Sequence, residues 1–175
     1  MVKLALALLV AVWATAAPAA CRLALVLALD VSGSVDEREY VVQLNGVATA
    51  LEHPEVQEAL LALPDAPVAL AIFEWSSASY QRQVVDWTTL SGASDILAVV
   101  DQLRRWRRAP APEATGLGAA MLHAAELLRD GPQCWAQTVD VSGDGKNNDW
   151  PIPRDVRRSG ALAGVTINAL AIGQE

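Results

Sequence analysis

The sequence predicts an α/β domain with a mainly parallel central sheet, one antiparallel edge strand, and helices on both faces. Three observations carry that expectation. The apolar run Leu23 to Leu29 ends at once in the polar turn Asp30-Val31-Ser32-Gly33-Ser34, the pattern of a strand buried on both faces. Strand-like and helix-like periods then alternate along the chain. Finally, the runs Val68 to Trp75 and Arg82 to Trp87 are separated by too few residues for a parallel crossover, so they form a hairpin with one reversed strand at the sheet edge.

The first twenty residues stand apart. Lys3 precedes an apolar run from Leu4 to Trp13, and Ala17-Pro18-Ala19 supplies the small-x-small pattern of a signal-peptidase site. Residues 1–20 are therefore expected to be a removable signal peptide, and the mature protein to be exported to the periplasm or beyond. A membrane anchor needs about 20 uninterrupted apolar residues, and Pro18 comes too soon. Residues 21–175 suffice for one domain with a sizeable core but not for two.

The whole chain carries 13 Lys and Arg against 20 Asp and Glu. Loss of Lys3 with the leader leaves 12 against 20, a balance of −8 that argues against nucleic acid or anionic lipid as the main partner. Two cysteines occur, Cys21 and Cys134. An even count in an exported chain reads first as a disulfide, while Ala19-Ala20-Cys21 also suits a lipid-modified N-terminus, with Pro18 where that signal prefers Leu.

Strand 1 ends at Asp30. Ser34-Val35-Asp36-Glu37 reads as a capping box that opens a helix through Val41, Leu44, Val47 and Leu51. Pro64 and Pro67 mark the return to strand 2, and strand 3 follows as its hairpin partner. Ser94 is expected to cap a second helix ending in Arg104-Arg105-Trp106-Arg107-Arg108, and Ala109 to Pro112 is a loop. Thr115 precedes a helix of Leu117, Met121, Leu122, Ala125 and Leu128, which Gly131-Pro132 stops. Val139 to Val141 forms the core of strand 4, Pro153 to Ala163 a short polar helix, and Val165 to Ile172 a last strand.

In open α/β sheets the binding crevice lies outside the carboxyl ends of the strands, where the strand order reverses. Asp30, Ser32 and Ser34 follow strand 1, Asp144 follows strand 4, and Thr115 opens the helix leading into strand 4. All five are hard oxygen donors, which suits Mg²⁺, Mn²⁺ or Ca²⁺ and disfavours zinc or copper. Each also has an ordinary reading: Ser34 and Thr115 make good N-caps, Asp144-Gly145 a good turn, and Asp30 a plain acid after a strand.

Taken together, these residues resemble the von Willebrand factor A fold, and within it a bacterial family of exported proteins of unknown function. Asp30-Val31-Ser32-Gly33-Ser34 matches the D-x-S-x-S pattern, Thr115 the isolated Thr, and Asp144-Gly145 the Asp-Gly after the fourth strand, over roughly Leu23 to Ile172. The resemblance implies a three-layer, Rossmann-like domain with a metal-ion-dependent adhesion site. In it Ser32, Ser34 and Thr115 coordinate the ion through hydroxyls, while Asp30 and Asp144 act directly or through water. It implies no catalysis: the ion holds a Glu or Asp from another protein. It also makes strands 1 and 4 parallel neighbours at the sheet centre, which places Cys21 and Cys134 at the edge opposite the metal and favours their pairing. Asp36 and Asp140 are candidate outer acceptors. The fold usually carries a sixth strand and a closing helix, which are not found before Glu175, so the expectation is either a short variant or a truncated sequence. The flank of the last strand is then a sticky edge or a partner surface.

Other readings are weaker. Asp140-Val141-Ser142-Gly143-Asp144-Gly145 begins like an EF-hand loop, but position 12 is Pro151 and a strand precedes it. A structural domain with a vestigial site, or a metal-dependent hydrolase using Asp30 and Asp144, remain as alternatives. Against the hydrolase, no G-x-S-x-G occurs and the only histidines, His53 and His123, sit in helical patterns. Gly116-Leu117-Gly118 lacks the third Gly of a dinucleotide loop and reads as tight helix packing. The Arg104 to Arg108 run reads as a solvated helix end, with anion binding as the alternative. Trp75 and Trp150 rim the strand-end loops or, for Trp75, pack the core. Asn147 and Asn148 read as turn residues.

Overall fold

The computed structural model describes residues 21–171, so the expected leader and the end of the last strand at Ile172 lie outside the described residues. The element order is β1 (Cys21–Asp30), α1 (Glu37–Glu52), α2 (Pro54–Leu61), β2 (Val68–Trp75), β3 (Gln81–Leu90), α3 (Ala93–Arg105), α4 (Leu117–Asp130), β4 (Cys134–Gly143), α5 (Pro153–Ser159) and β5 (Thr166–Ala171). The five strands form one sheet in the order β3-β2-β1-β4-β5. All neighbours are parallel except the β2–β3 hairpin, so β3 is the reversed edge strand.

Side-chain alternation in β1 divides the core into two layers. Leu23, Leu25, Leu27 and Leu29 join a cluster with Leu44, Ala48 and Leu51 of α1 and Ile96, Val99 and Leu103 of α3. Ala24, Val26 and Ala28 point the other way, to Ala120, Ala124 and Leu128 of α4 and Val156 of α5. The small residues of β1 and α4 meet on that second face, where α4 lies close to the sheet. β2 is buried along its whole length, as expected for a strand covered on both faces.

Two helix starts differ from the sequence expectation. Asp36, not Ser34, caps α1: its carboxylate accepts from Glu39 N at 2.8 Å, and Glu39 returns the bond to Asp36 N. The box is therefore shifted two residues, because Asp is as good a cap as Ser and Glu39 stands three residues on. Likewise Gly92, not Ser94, is the N-cap of α3, with Asp95 accepting from the backbone N–H groups of Ser91 and Gly92. An unexpected short helix, α2, begins at Pro54, whose fixed φ and missing N–H suit a first helical turn.

Cys21 and Cys134 form a disulfide at the starts of β1 and β4, with Cα atoms 4.6 Å apart. They are register partners in the parallel pair, at the end of the sheet opposite Asp30. Strand β5 is the other sheet edge, and most of it is exposed, Leu170 included. Between it and α1 runs an apolar groove of about 590 Å³ lined by Leu27, Val42, Val47, Val141 and Leu170.

Candidate functional site

The order β2-β1-β4 places the switch point of the sheet between β1 and β4, and the loops after these strands open on the same edge. Asp30 is the last residue of β1 and is wholly buried. Its Oδ1 accepts from Ser32 N at 2.8 Å, which bends the chain out of the strand. Its Oδ2 is buried with no partner among the described residues. Burial raises the Asp30 carboxyl above the ordinary carboxylate range, against the hydrogen bonds from Ser32, and the neighbouring Asp144 adds a smaller push upward.

The other four residues form a chain of contacts beside it. Thr115 Oγ1 donates to Ser32 Oγ at 3.2 Å, Ser32 Oγ lies 3.3 Å from Ser34 Oγ, and Ser34 donates to Asp144 Oδ1 at 2.5 Å. Residues from three loops, distant in sequence, thus meet at one point. Ser32 and Thr115 are buried, whereas Ser34 is exposed, so the cluster faces solvent on one side. Neither Ser34 nor Thr115 caps a helix; Asp36 and Gly116 hold those positions, and both hydroxyls are left for the cluster.

Two glycines flank it closely. A Cβ on Gly143 would stand 3.0 Å from Asp30 Oδ2, and one on Gly145 would stand 3.0 Å from Thr115 Oγ1 and 3.2 Å from Ser34 Oγ. The space over the oxygens thus depends on the absence of side chains at both positions.

Surrounding side chains hold the loops. Gln43 of α1 donates to Asp30 O at 3.0 Å and accepts from Ser142 Oγ at 2.6 Å, tying the ends of β1 and β4 together. Asn148 accepts from Thr115 N at 2.8 Å while its own N–H donates to Thr115 O, so this residue positions Thr115 as well as turning the chain. Asn147 Oδ1 accepts from Gly118 N, and Asp149 accepts from Ala78 N and Trp150 N, bonds that hold the Asp149 carboxyl below its ordinary range.

Two expected outer acceptors are engaged elsewhere. Asp36 is the cap of α1, and Asp140 accepts from Asn168 Nδ2 at 2.7 Å across the β4–β5 pair. Trp75 is buried core, and Trp150 is exposed. His123 packs edge-on against Phe73, and His53 forms the joint between α1 and α2. Gly116 and Gly118 serve close packing, against the Ser76–Ala78 backbone and the Pro151 backbone respectively. In the arginine run, Arg104 pairs with Glu52 and Arg105 with Asp101.

The sequence reading missed the carboxylate of Glu74, which is buried at the end of β2 and accepts from Tyr40, Tyr80, Arg82 and Trp106. The signal was present in Ala71-Ile72-Phe73-Glu74-Trp75, an acid within a fully apolar strand. Such a residue is retained only where donors surround it.

The donor set fits a hard divalent cation. Two carboxylates and three hydroxyls supply oxygen only, and the Asp30 Oδ2 is a buried acceptor with no hydrogen-bond donor among the described residues. Among the described residues there is no cluster of three or more His, Cys, Asp or Glu that could hold a metal, so any ion here depends on the hydroxyls.

The profile of a family described as protein of unknown function, DUF1194, matches residues 20–175. No curated protein matches the sequence. Among solved structures, proximal thread matrix protein 1 from the mussel byssus is similar at 16% identity and a TM-score of 0.67, covering 89% of this chain and 39% of that one. The same mussel protein with a zinc-occupied MIDAS motif (metal-ion-dependent adhesion site) gives a TM-score of 0.69 at the same identity and coverage. A von Willebrand factor type A protein from Catenulispora acidiphila gives 0.64 at 16% identity, covering 89% of this chain and 34% of that one. The chain thus spans well under half the length of these structures. The likeness establishes the fold, a von Willebrand factor A-like α/β domain.

Proposed function

This chain belongs to the DUF1194 family of proteins of unknown function, and we propose that it is an exported interaction domain whose ion-binding site docks an acidic group of another protein. The observation that carries the reading is the convergence of Asp30, Ser32, Ser34, Thr115 and Asp144 on one point at the sheet switch, with the Asp30 Oδ2 buried and unpartnered. Ser32, Ser34 and Thr115 would hold the ion through hydroxyls, and Asp30 and Asp144 would act directly or through water.

When bound, a divalent ion such as Mg²⁺, Mn²⁺ or Ca²⁺ supplies positive charge and an open coordination position. Two carboxylates only just neutralise such an ion, so it keeps an affinity for a Glu or Asp from outside. The residues of the chain contribute position: Asn148 fixes Thr115, Gln43 fixes Asp30, and Gly143 and Gly145 leave the approach clear. The neighbouring mussel structure has a zinc-occupied MIDAS motif, which supports a divalent ion here without naming it.

The Cys21–Cys134 bridge supports an oxidising compartment, the periplasm or the exterior. It also engages the thiol that N-terminal lipidation would use. Among the described residues no helix is long and apolar enough to cross a membrane. Substituting Asp144 by Ala tests the reading: metal binding should disappear, and with it capture of any acidic partner. Undiminished metal binding by that variant would refute the site.

A further inference from the structure

Resting on the metal reading, we propose that Arg108 is a positioning residue for the loop Val31–Val35, holding the hydroxyls of Ser32 and Ser34 in place from behind. Four of the five backbone N–H groups and three of the five carbonyls in this loop have a partner. Val31 N donates to Trp75 O at 2.8 Å, Gly33 N to Glu113 O at 3.0 Å, and Val35 N to Ser32 O at 3.0 Å, while Asp30 provides the acceptor for Ser32 N. The carbonyls of Val31 and Val35 bracket the two serines. Both face one guanidinium: Arg108 donates to Val35 O at 2.7 Å and, more weakly, to Val31 O at 3.5 Å.

Arg108 is itself held. Its guanidinium lies 5.3 Å from the centroid of the Tyr40 ring, and its Nη1 is 3.6 Å from the exposed Glu37. Tyr40 in turn donates to the buried Glu74, which also accepts from Arg82 and Trp106. The chain of contacts runs from a fully satisfied carboxylate in the core, through an aromatic ring and a guanidinium, to the loop that carries two of the five oxygen ligands. One guanidinium nitrogen serves both carbonyls while the other faces Glu37 and the flat group lies near the Tyr40 ring, a span that the single nitrogen of a lysine does not cover. Of the arginine run, this residue alone reaches the site.

Charge alone predicts that removing a cation near a metal site tightens metal binding. Positioning predicts the reverse, by about tenfold, the lower end of what outer partners of metal ligands contribute. The two signs separate the explanations.

The test is Mg²⁺ titration by calorimetry of the oxidised protein in wild type, Arg108→Ala, Arg108→Lys, Glu37→Gln and Asp144→Ala, with melting in EDTA for each. Positioning predicts about tenfold weaker Mg²⁺ binding in Arg108→Ala and a smaller loss in Arg108→Lys. Glu37→Gln, which leaves both carbonyl bonds in place, should match wild type. Wild-type or tighter affinity in Arg108→Ala overturns the inference; if that variant does not fold, unchanged affinity in Arg108→Lys does the same. If wild type and Asp144→Ala cannot be told apart, the metal reading itself fails, and this inference falls with it.

Discussion

Ser34 and Asp144, 110 residues apart, are joined by a hydrogen bond from hydroxyl to carboxylate that closes the loops after β1 and β4 over Gly145. Because a Cβ at Gly145 would crowd both Ser34 Oγ and Thr115 Oγ1, Gly145→Ala should occupy the space an ion needs without touching the core. Expected are a loss of metal affinity of at least about tenfold and a change in stability in EDTA within about 1 kcal/mol. Metal titration with parallel melting in EDTA checks both; an unaltered affinity would mean the ion does not sit between these hydroxyls.

Asp30 makes a different prediction. Its carboxylate is wholly buried, one oxygen has no partner, and desolvation opposes its charge. Asp30→Asn keeps the acceptor for Ser32 N and removes the charge. In EDTA the variant should be more stable than wild type by about 1–2 kcal/mol, a rise of roughly 3–6 °C in melting temperature, and it should lose its response to metal. A variant that melts below wild type in EDTA would show that the apo protein satisfies this charge by other means.

Much of this architecture was legible in the sequence, and the failures share a cause. The limits of β2 and the Asp30 end of β1 follow from apolar runs that stop abruptly, and the β2–β3 hairpin from the short connection. The five residues proposed to hold an ion stood out because each follows a strand or precedes a helix, and the structure brings them together. What escaped were contacts between elements: Arg108 against the Val31 and Val35 carbonyls, Gln43 between Asp30 and Ser142, and the donors around Glu74. None leaves a local periodicity. The cap of α1 was misread because Ser34 and Asp36 both suit an N-cap and only tertiary position frees the serine. Strand β4 proved longer than its apolar centre because its first residues pair with β1 while their side chains stay partly exposed.

His123 gives the fold an acid sensitivity. Its Nε2 is buried without a partner among the described residues, and burial holds its pKa below the ordinary histidine value of 6.5 despite an opposing push from Glu126. The unfolded chain therefore binds the proton more readily than the folded one. The stability tied to this residue is fully present above about pH 6.5 and is lost as pH falls below that value toward the folded pKa. His123→Leu should flatten the dependence of melting temperature on pH as the pH falls below about 6.5. A profile parallel to wild type would place the acid sensitivity elsewhere.

The Cys21–Cys134 bridge joins residues 113 apart. For a loop of this length the chain-entropy estimate is about 4–5 kcal/mol. The Cys21→Ser/Cys134→Ser double variant should lose about that much in urea denaturation, a fall of roughly 10–20 °C in melting temperature. A loss below about 1 kcal/mol would show that the reduced chain is already constrained in its unfolded state.

The central claim is tested most directly by thermal unfolding of the oxidised protein in EDTA, then in about 10 mM Mg²⁺, Mn²⁺ or Ca²⁺ and in dilute Zn²⁺, with Asp144→Ala alongside. A site with a dissociation constant near 0.1 mM adds about 2.7 kcal/mol at a hundredfold excess, hence a rise of roughly 5–11 °C in a domain of this size. The account predicts that rise in wild type with at least one ion and its absence in Asp144→Ala. A wild type that melts alike in EDTA and in every ion, or an equal rise in Asp144→Ala, would contradict it.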